Sequence, residues 1–354
     1  MKKVLRKLFI PCMVFGCLWS EVTLYIIFRQ SLSPLPSFLL TFSALIPFVF
    51  YGIARIGRAG RLRRLCNLIG AALLSADCYF MITTAFCGLL FLLGLPLAYA
   101  TTVLVLDLIL CTAAVLAGML YARRVRVTSY TLRIKDAPNC KIVFFSDLHL
   151  GDFCTTVHLK GIVDKIQKEM PDLVLYGGDL VDMDLPGEKK LDCYARHLSK
   201  IAPIIGCEGN HDLNDKENPR LKPFLEKAGI RLLYDEGTAD AKTGITVIAR
   251  KSIKTKRQSA KALCPDHFHI LLDHDPKGAA EAMANGCPLV LCGHTHKGQT
   301  FPGNIIRGLI TPYFYGKYEE NGRFVITTSG CGATGLPLRL FVTSEIVAIS
   351  IISD

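Results

Sequence analysis

Seven residues with metal-binding side chains fall in five short blocks of the sequence: Asp147 with His149, Asp179, Asn210, His274, and His294 with His296. Each block directly follows an apolar run: KIVFFS, LVLYGG, PIIGCEG, FHILLD and LVLCG, in that order. Carboxylate and imidazole donors together suit manganese, iron, zinc or nickel, whereas an all-oxygen set would favour magnesium or calcium. One histidine beside one apolar run is ordinarily a satisfied core residue. Seven donors placed after five successive runs do not fit that bland reading. The spacing adds to the case. Asp147/His149 and His294/His296 are i, i+2 pairs, and in extended backbone such pairs aim at one place.

Something must carry these blocks to a common edge. Short β-rich runs are predicted over 141–146, 173–176, 203–205, 245–249, 268–272, 289–291, 324–328 and 346–352. Helical patterns lie between several of them, over 157–170, 189–198, 219–228 and 277–284. Strands alternating with helices predict a layered α/β domain. In such sheets ligands bind in the crevice past the carboxyl ends of the strands, where all five blocks fall.

The blocks SDLHLG, GGDLVD, EGNHD, LDHDP and CGHTHKGQ, in this order, resemble those of the calcineurin-like metallophosphoesterases. The fit is best with their membrane-anchored bacterial branch, which shows a late segment similar to SGCGATGLPLRL. The resemblance covers residues 140–350 and implies a four-layer α/β/β/α sandwich holding two divalent metal ions, with manganese favoured. By resemblance, Asp147, His149, Asp179 and His296 would hold one ion. Asp179, Asn210, His274 and His294 would hold the other, with Asp179 shared. His211 resembles the residue that gives a proton to the leaving oxygen, and Asp182 and Asp212 resemble groups that orient it. The implied reaction is in-line attack of a metal-activated water on phosphorus.

Some cations depart from the family pattern or lie outside it. Lys297 is a candidate contact for a substrate phosphate, or a solvated side chain. Arg339 is a second such candidate, or a packing residue. The run Lys251, Lys254, Lys256, Arg257 and Lys261 suits an anionic head group or, preferably, a solvated helix face.

The first third of the chain is different in kind. Residues 1–126 hold 13 Lys and Arg against 3 Asp and Glu, and residues 127–354 hold 28 against 27. The surplus of positive charge therefore belongs to the first part, and no nucleic-acid partner is expected of the rest. Four apolar stretches, 8–28, 38–54, 69–93 and 101–121, approach the roughly 20 residues needed to span a bilayer. Basic clusters flank them so that four spans would put all three clusters on one side, and the positive-inside rule makes that side cytoplasmic. Glu21, Asp77 and Asp107 inside these stretches are read as partners of Ser, Thr or Tyr between helices. Fourteen Cys without a CxxC motif suit a reducing compartment.

The expected organisation is thus a membrane region of about four helices over 1–126 and a metallophosphoesterase domain over 127–354. The expected function is hydrolysis of a phosphodiester or pyrophosphate bond at the cytoplasmic membrane face. A lipid-linked substrate such as a UDP-diacyl sugar suits the anchor. Two alternatives are a generic or cyclic-nucleotide phosphodiesterase and a membrane protein whose esterase domain only senses a ligand. A missing ligand or missing His211 would favour the latter, and none is missing. A transporter would need more spans.

Overall fold

The computed structural model describes residues 61–93, 99–151, 154–181, 186–212, 219–335 and 337–353, with five single positions between 46 and 53. The chain divides into two compact units, Met1–Gly118 and Met119–Asp354.

In the first unit, helix α1 runs over Arg61–Leu92, and α2 begins at Ala100 and continues to Ala122. Segments Leu62–Thr84 and Val105–Ala122 are the two among the described residues long and apolar enough to cross a membrane. Much of their apolar surface points outward, as at Leu108, Ile109, Leu110 and Leu116. The expected spans over 8–28 and most of 38–54 lie outside the described residues, as does Glu21. Asp107 behaves as expected: the Thr83 hydroxyl donates to its carboxylate and ties α1 to α2.

Among the described residues of the second unit, twelve strands form two mixed six-stranded sheets. The first holds β1 (Val125–Ile134), β12 (Ser344–Ser353), β2 (Cys140–Phe145), β3 (Leu173–Tyr176), β4 (Ile204–Cys207) and β5 (Ile230–Leu233), side by side in that order. Strands β2 to β5 run parallel, and β12 lies antiparallel to β2. The second sheet holds β10 (Gly316–Glu320), β11 (Arg323–Thr327), β9 (Leu289–Cys292), β8 (His269–Leu272), β7 (Thr246–Ala249) and β6 (Glu236–Ala239). Here β11, β9, β8 and β7 are parallel, with β10 and β6 antiparallel at the edges.

The parallel strands are continuous apolar runs because both of their faces are buried. One face of each sheet meets the other sheet in a shared core that includes Ile142, Phe144, Leu175, Val247, Leu272, Leu291 and Val347. Helices α3 (Thr156–Lys168), α4 (Glu188–Leu198) and α5 (Leu221–Ala228) cover the first sheet, with Leu159, Ile162, Tyr194 and Phe224 packed on Val143 and Tyr176. The short helices α6 (Ala260–Leu263) and α7 (Ala279–Ala284) cover the second. Helix α3 starts at Thr155, whose hydroxyl accepts the His158 N–H, and it ends ahead of Pro171.

Strands β1, β5, β6 and β10 lie outside the sequence expectation. β1 begins at Val125, so a boundary between 126 and 127 cuts it. The basic run after β7 is not a single helix face: only Lys261 lies on a helix, α6. Residues 251–259 are loop, and Arg257 reaches the buried Asp273 carboxylate at 2.9 Å instead of solvent.

Candidate dinuclear metal centre

The loops after β2, β3, β4, β8 and β9 meet at one edge of the two sheets. They are zipped together by backbone bonds before any side chain is considered. The Asp147 and His149 N–H groups donate to Gly178 and Asp179 carbonyls at 2.9 and 3.1 Å, and Gly293 N–H donates to the His274 carbonyl at 3.0 Å. Gly293 and Gly209 allow the closest approaches. A Cβ on Gly293 would sit 2.5 Å from Asp147 Oδ2, and one on Gly209 would collide with the Asp179 backbone and carboxylate.

Asp147, His149, Asp179, His274 and His296 are almost wholly buried, and His294 and Asn210 are half-buried. The donor atoms form overlapping triplets: Asp147/His149/His296, His149/Asp179/His211 and Asp179/His274/His294. His149 Nε2 lies 3.1 Å from His296 Nε2, and His296 Nε2 lies 3.4 Å from Asp147 Oδ1. Asp179 Oδ2 lies 3.9 Å from His149 Nε2 and 3.2 Å from His274 Nε2. Donors bound about 2.1 Å from a shared ion sit roughly 3.0–3.5 Å apart, so the crowding suits divalent ions. Asn210 Oδ1, buried and with no hydrogen-bond partner, is a further donor consistent with such an ion.

The expected reason for the i, i+2 spacing does not hold. Asp147, His149, His294 and His296 all adopt left-handed backbone, with φ of 56°, 46°, 69° and 49°. Asp179 does the same at 59°. Strand direction therefore does not aim these side chains; tight non-glycine turns do. Each such residue costs on the order of 1 kcal/mol or more, and the inter-loop bonds hold it in place.

The surrounding groups orient the donors. Gly177 carbonyl accepts from His274 Nδ1 at 2.7 Å, which leaves Nε2 facing Asp179. Ser146 hydroxyl donates to Asp147 Oδ2. Burial raises the Asp147 carboxyl above its usual range, with the Asp179 charge adding to it. Burial opposes the Asp179 charge too, but His274 outweighs it and holds that carboxyl far below its usual range. His294 is pushed down to about 4 by burial and the His274 charge, and burial with the His149 and Arg339 charges lowers His296 further. Both are therefore neutral near pH 7, with lone pairs open to a metal.

His211 sits beside this centre. Its backbone N–H donates to Asp179 Oδ1 at 2.7 Å, and its ring meets that of His149 edge-on at 4.8 Å. Asp212 takes a different role from the expected one. Its carboxylate accepts the N–H groups of Asp179, Leu180, Val181 and Gly209 at 2.8–3.2 Å, so it builds the Asp179 turn and does not aim at the His211 ring. Asp182 lies outside the described residues. Lys297 stacks its ammonium 4.0 Å over the Tyr315 ring. Arg339 is fully buried, and its guanidinium donates to the Gly330 and Gly332 carbonyls at 3.2 and 2.6 Å, so a phosphate contact there is set aside for the packing role. Sequence reasoning missed Asp275, whose carboxylate lies 3.7 Å from His294 Nε2. Its place directly after His274 was the available signal.

Two mixed sheets with metal-binding loops at one edge define a metallophosphoesterase-type α/β fold. The chain belongs to the calcineurin-like phosphoesterase family, whose sequence model matches residues 140–298. An uncharacterized metallophosphoesterase of Aquifex aeolicus is 31% identical over 245 residues, 64% of this chain and 91% of that protein. An uncharacterized metallophosphoesterase of Helicobacter pylori is 30% identical over 60% of each chain. A transmembrane protein with a metallophosphoesterase domain from Danio rerio is 30% identical over 59% of this chain. The chain spans 60% of the Helicobacter protein's length and 52% of the Danio one's.

Proposed function

We propose that the chain is a membrane-anchored enzyme that hydrolyses a phosphodiester or pyrophosphate bond with two divalent metal ions. The observation that carries the reading is the pair of buried donor clusters that meet at Asp179, with His211 beside them. Asp147, His149, Asp179 and His296 would hold one ion, and Asp179, Asn210, His274 and His294 the other. Manganese is the favoured ion for this donor set. Such ions, when bound, acidify a water and neutralise phosphate oxygens. His211 would donate the proton to the leaving oxygen, held in place by its N–H bond to the Asp179 carboxylate.

A lipid-linked substrate, such as a UDP-diacyl sugar, is supported by helix α8 (Gly303–Ile310), just after the His296 loop. None of its residues is buried, and Ile305, Ile306, Leu309 and Ile310 are exposed together with Phe301 and Phe341. An apolar patch of this kind beside a catalytic edge marks an interaction surface. Apolar helices in the first unit and their flanking Arg clusters support multi-pass anchoring with the esterase in the cytoplasm.

The test is turnover of bis-p-nitrophenyl phosphate after chelation and add-back of Mn²⁺, followed by a panel of lipid-linked and nucleotide diesters. Asp179→Asn and His211→Ala should each lose at least 100-fold in turnover, the low end of what an acid–base group contributes. Full metal-stimulated activity in both variants would sink the mechanism. Equal turnover of soluble and lipid-linked diesters would favour the generic phosphodiesterase.

A further inference from the structure

A second cluster of donors lies away from the candidate centre, at the other ends of two of the same strands. His269 opens β8, whose far end leads to His274, and Cys287 precedes β9, whose far end leads to His294. Five residue steps along β8 and just past it separate His269 from His274, roughly 16 Å at the strand rise per residue. Cys264, at the end of helix α6, completes the group.

The three donor atoms all lie within 4.8 Å of one another. Cys264 Sγ is 2.9 Å from Cys287 Sγ, and His269 Nε2 is 3.2 Å from Cys287 Sγ. The thiols are free, since a disulfide would bring the sulfurs to about 2.05 Å. His269 is oriented as metal-binding imidazoles are. Its Nδ1 faces the His267 carbonyl at 2.8 Å, which fixes the proton there and turns the Nε2 lone pair toward the sulfurs. His269 and Cys287 are buried, while Cys264 is partly exposed and gives a path in.

We propose that Cys264, His269 and Cys287 form a third metal site, for one zinc-class ion, separate from the dinuclear centre. Two thiolates and an imidazole are the soft donor set that zinc takes up, and the fourth tetrahedral position is left to water. Binding sends both thiol protons to solvent and leaves a neutral centre of one dication and two thiolates. That neutrality tolerates Arg250 and Arg323, whose charges bear on Cys287. The ion would staple the basic loop 250–264 to the starts of β8 and β9. It would thereby fix the strands that deliver His274 and His294.

The test uses the reduced full chain in detergent, titrated with Co²⁺. The dinuclear centre has no sulfur donor, so thiolate-to-cobalt charge-transfer absorption reports this site alone. The expected result is a band that saturates with one ion per chain, is abolished in Cys264→Ser, and is retained in Asp179→Asn. Cys264→Ser is a near-isosteric change at a partly exposed position, and circular dichroism checks its fold. His269→Gln is the second variant and should weaken the band. No band at saturating Co²⁺, or a band unchanged in Cys264→Ser, would overturn the proposal. So would a Cys264–Cys287 disulfide, found by mass spectrometry, in protein purified with metal and without reductant.

Discussion

Arg339 places its Nη2 at 3.3 Å from the Nδ1 of His296, directly behind a proposed metal ligand. The same guanidinium reaches the Gly330, Gly332 and Thr343 carbonyls and the His296 carbonyl. Burial pulls Arg339 down to about 10, yet it keeps its charge near pH 7 with Asp147 and Glu345 as distant counter-charges. It thus fastens the late GCGATG segment to the back of the metal-binding loop.

Removing that side chain leaves several buried carbonyls without a donor and takes a positive charge from the neighbourhood of Asp147 and Glu345. Arg339→Ala is expected to destabilise the esterase unit by about 3–5 kcal/mol. A domain of this size then melts roughly 10 °C lower. Arg339→Lys, with one compact ammonium in place of the planar fork, should recover only part of the loss. Thermal unfolding of the two variants decides this. A melting temperature within about 2 °C of the parent for Arg339→Ala would mean that the guanidinium is dispensable.

Asp212 gives a second prediction, because it folds the turn that carries Asp179. Asp212→Asn keeps the shape but swaps one accepting oxygen for an NH₂ group that faces N–H donors. Gly209→Ala attacks the same turn sterically, pushing a methyl into the Asp179 carboxylate. Both should weaken Mn²⁺ activation by about 10–100-fold, the usual effect of disturbing a ligand's support. Mn²⁺ titration of hydrolysis measures it. Unchanged half-saturation with a fall only in turnover would instead give Asp212 a role on His211.

These residues also mark where the sequence is informative. The strand ends were legible because parallel strands buried on both faces are unbroken apolar runs, as in LVLY and LVLC. The seven donors after them were legible from that pattern, while the turns that aim them were not. The backbone of Asp147 and His296 was not legible, since left-handed φ is uncommon even at Asp and His, the types that favour it, and here it is held by contacts between loops. Strand β1 was hidden because its alternating VRVTSYTLRI follows an Arg-rich helix end, and its partner β12 lies over two hundred residues away. Helix α8 escaped notice because all its apolar residues are exposed, which inverts the amphipathic logic of the other helices. Arg339 could be placed only by knowing which carbonyls surround it.

His274 supplies the last prediction, a pH dependence of metal binding. Burial works against its charge, but the Asp179 and Asp147 carboxylates raise it to about 10 in the metal-free protein. At neutral pH the imidazole is therefore protonated, and an ion can reach Nε2 only by displacing that proton. His294 and His296, already neutral there, add nothing to the exchange. Because the metal-free form binds the extra proton, affinity must rise with pH toward about 10 and fall as the medium is acidified. The slope is about tenfold per pH unit for one proton. Calorimetric Mn²⁺ titrations near neutral pH, in buffers of different ionisation enthalpy, should show about one proton released per chain. His274→Asn should abolish that release while some binding at the Asp147/His149/His296 donors persists. Heat independent of the buffer in the parent chain would show that His274 is neutral before the ion arrives.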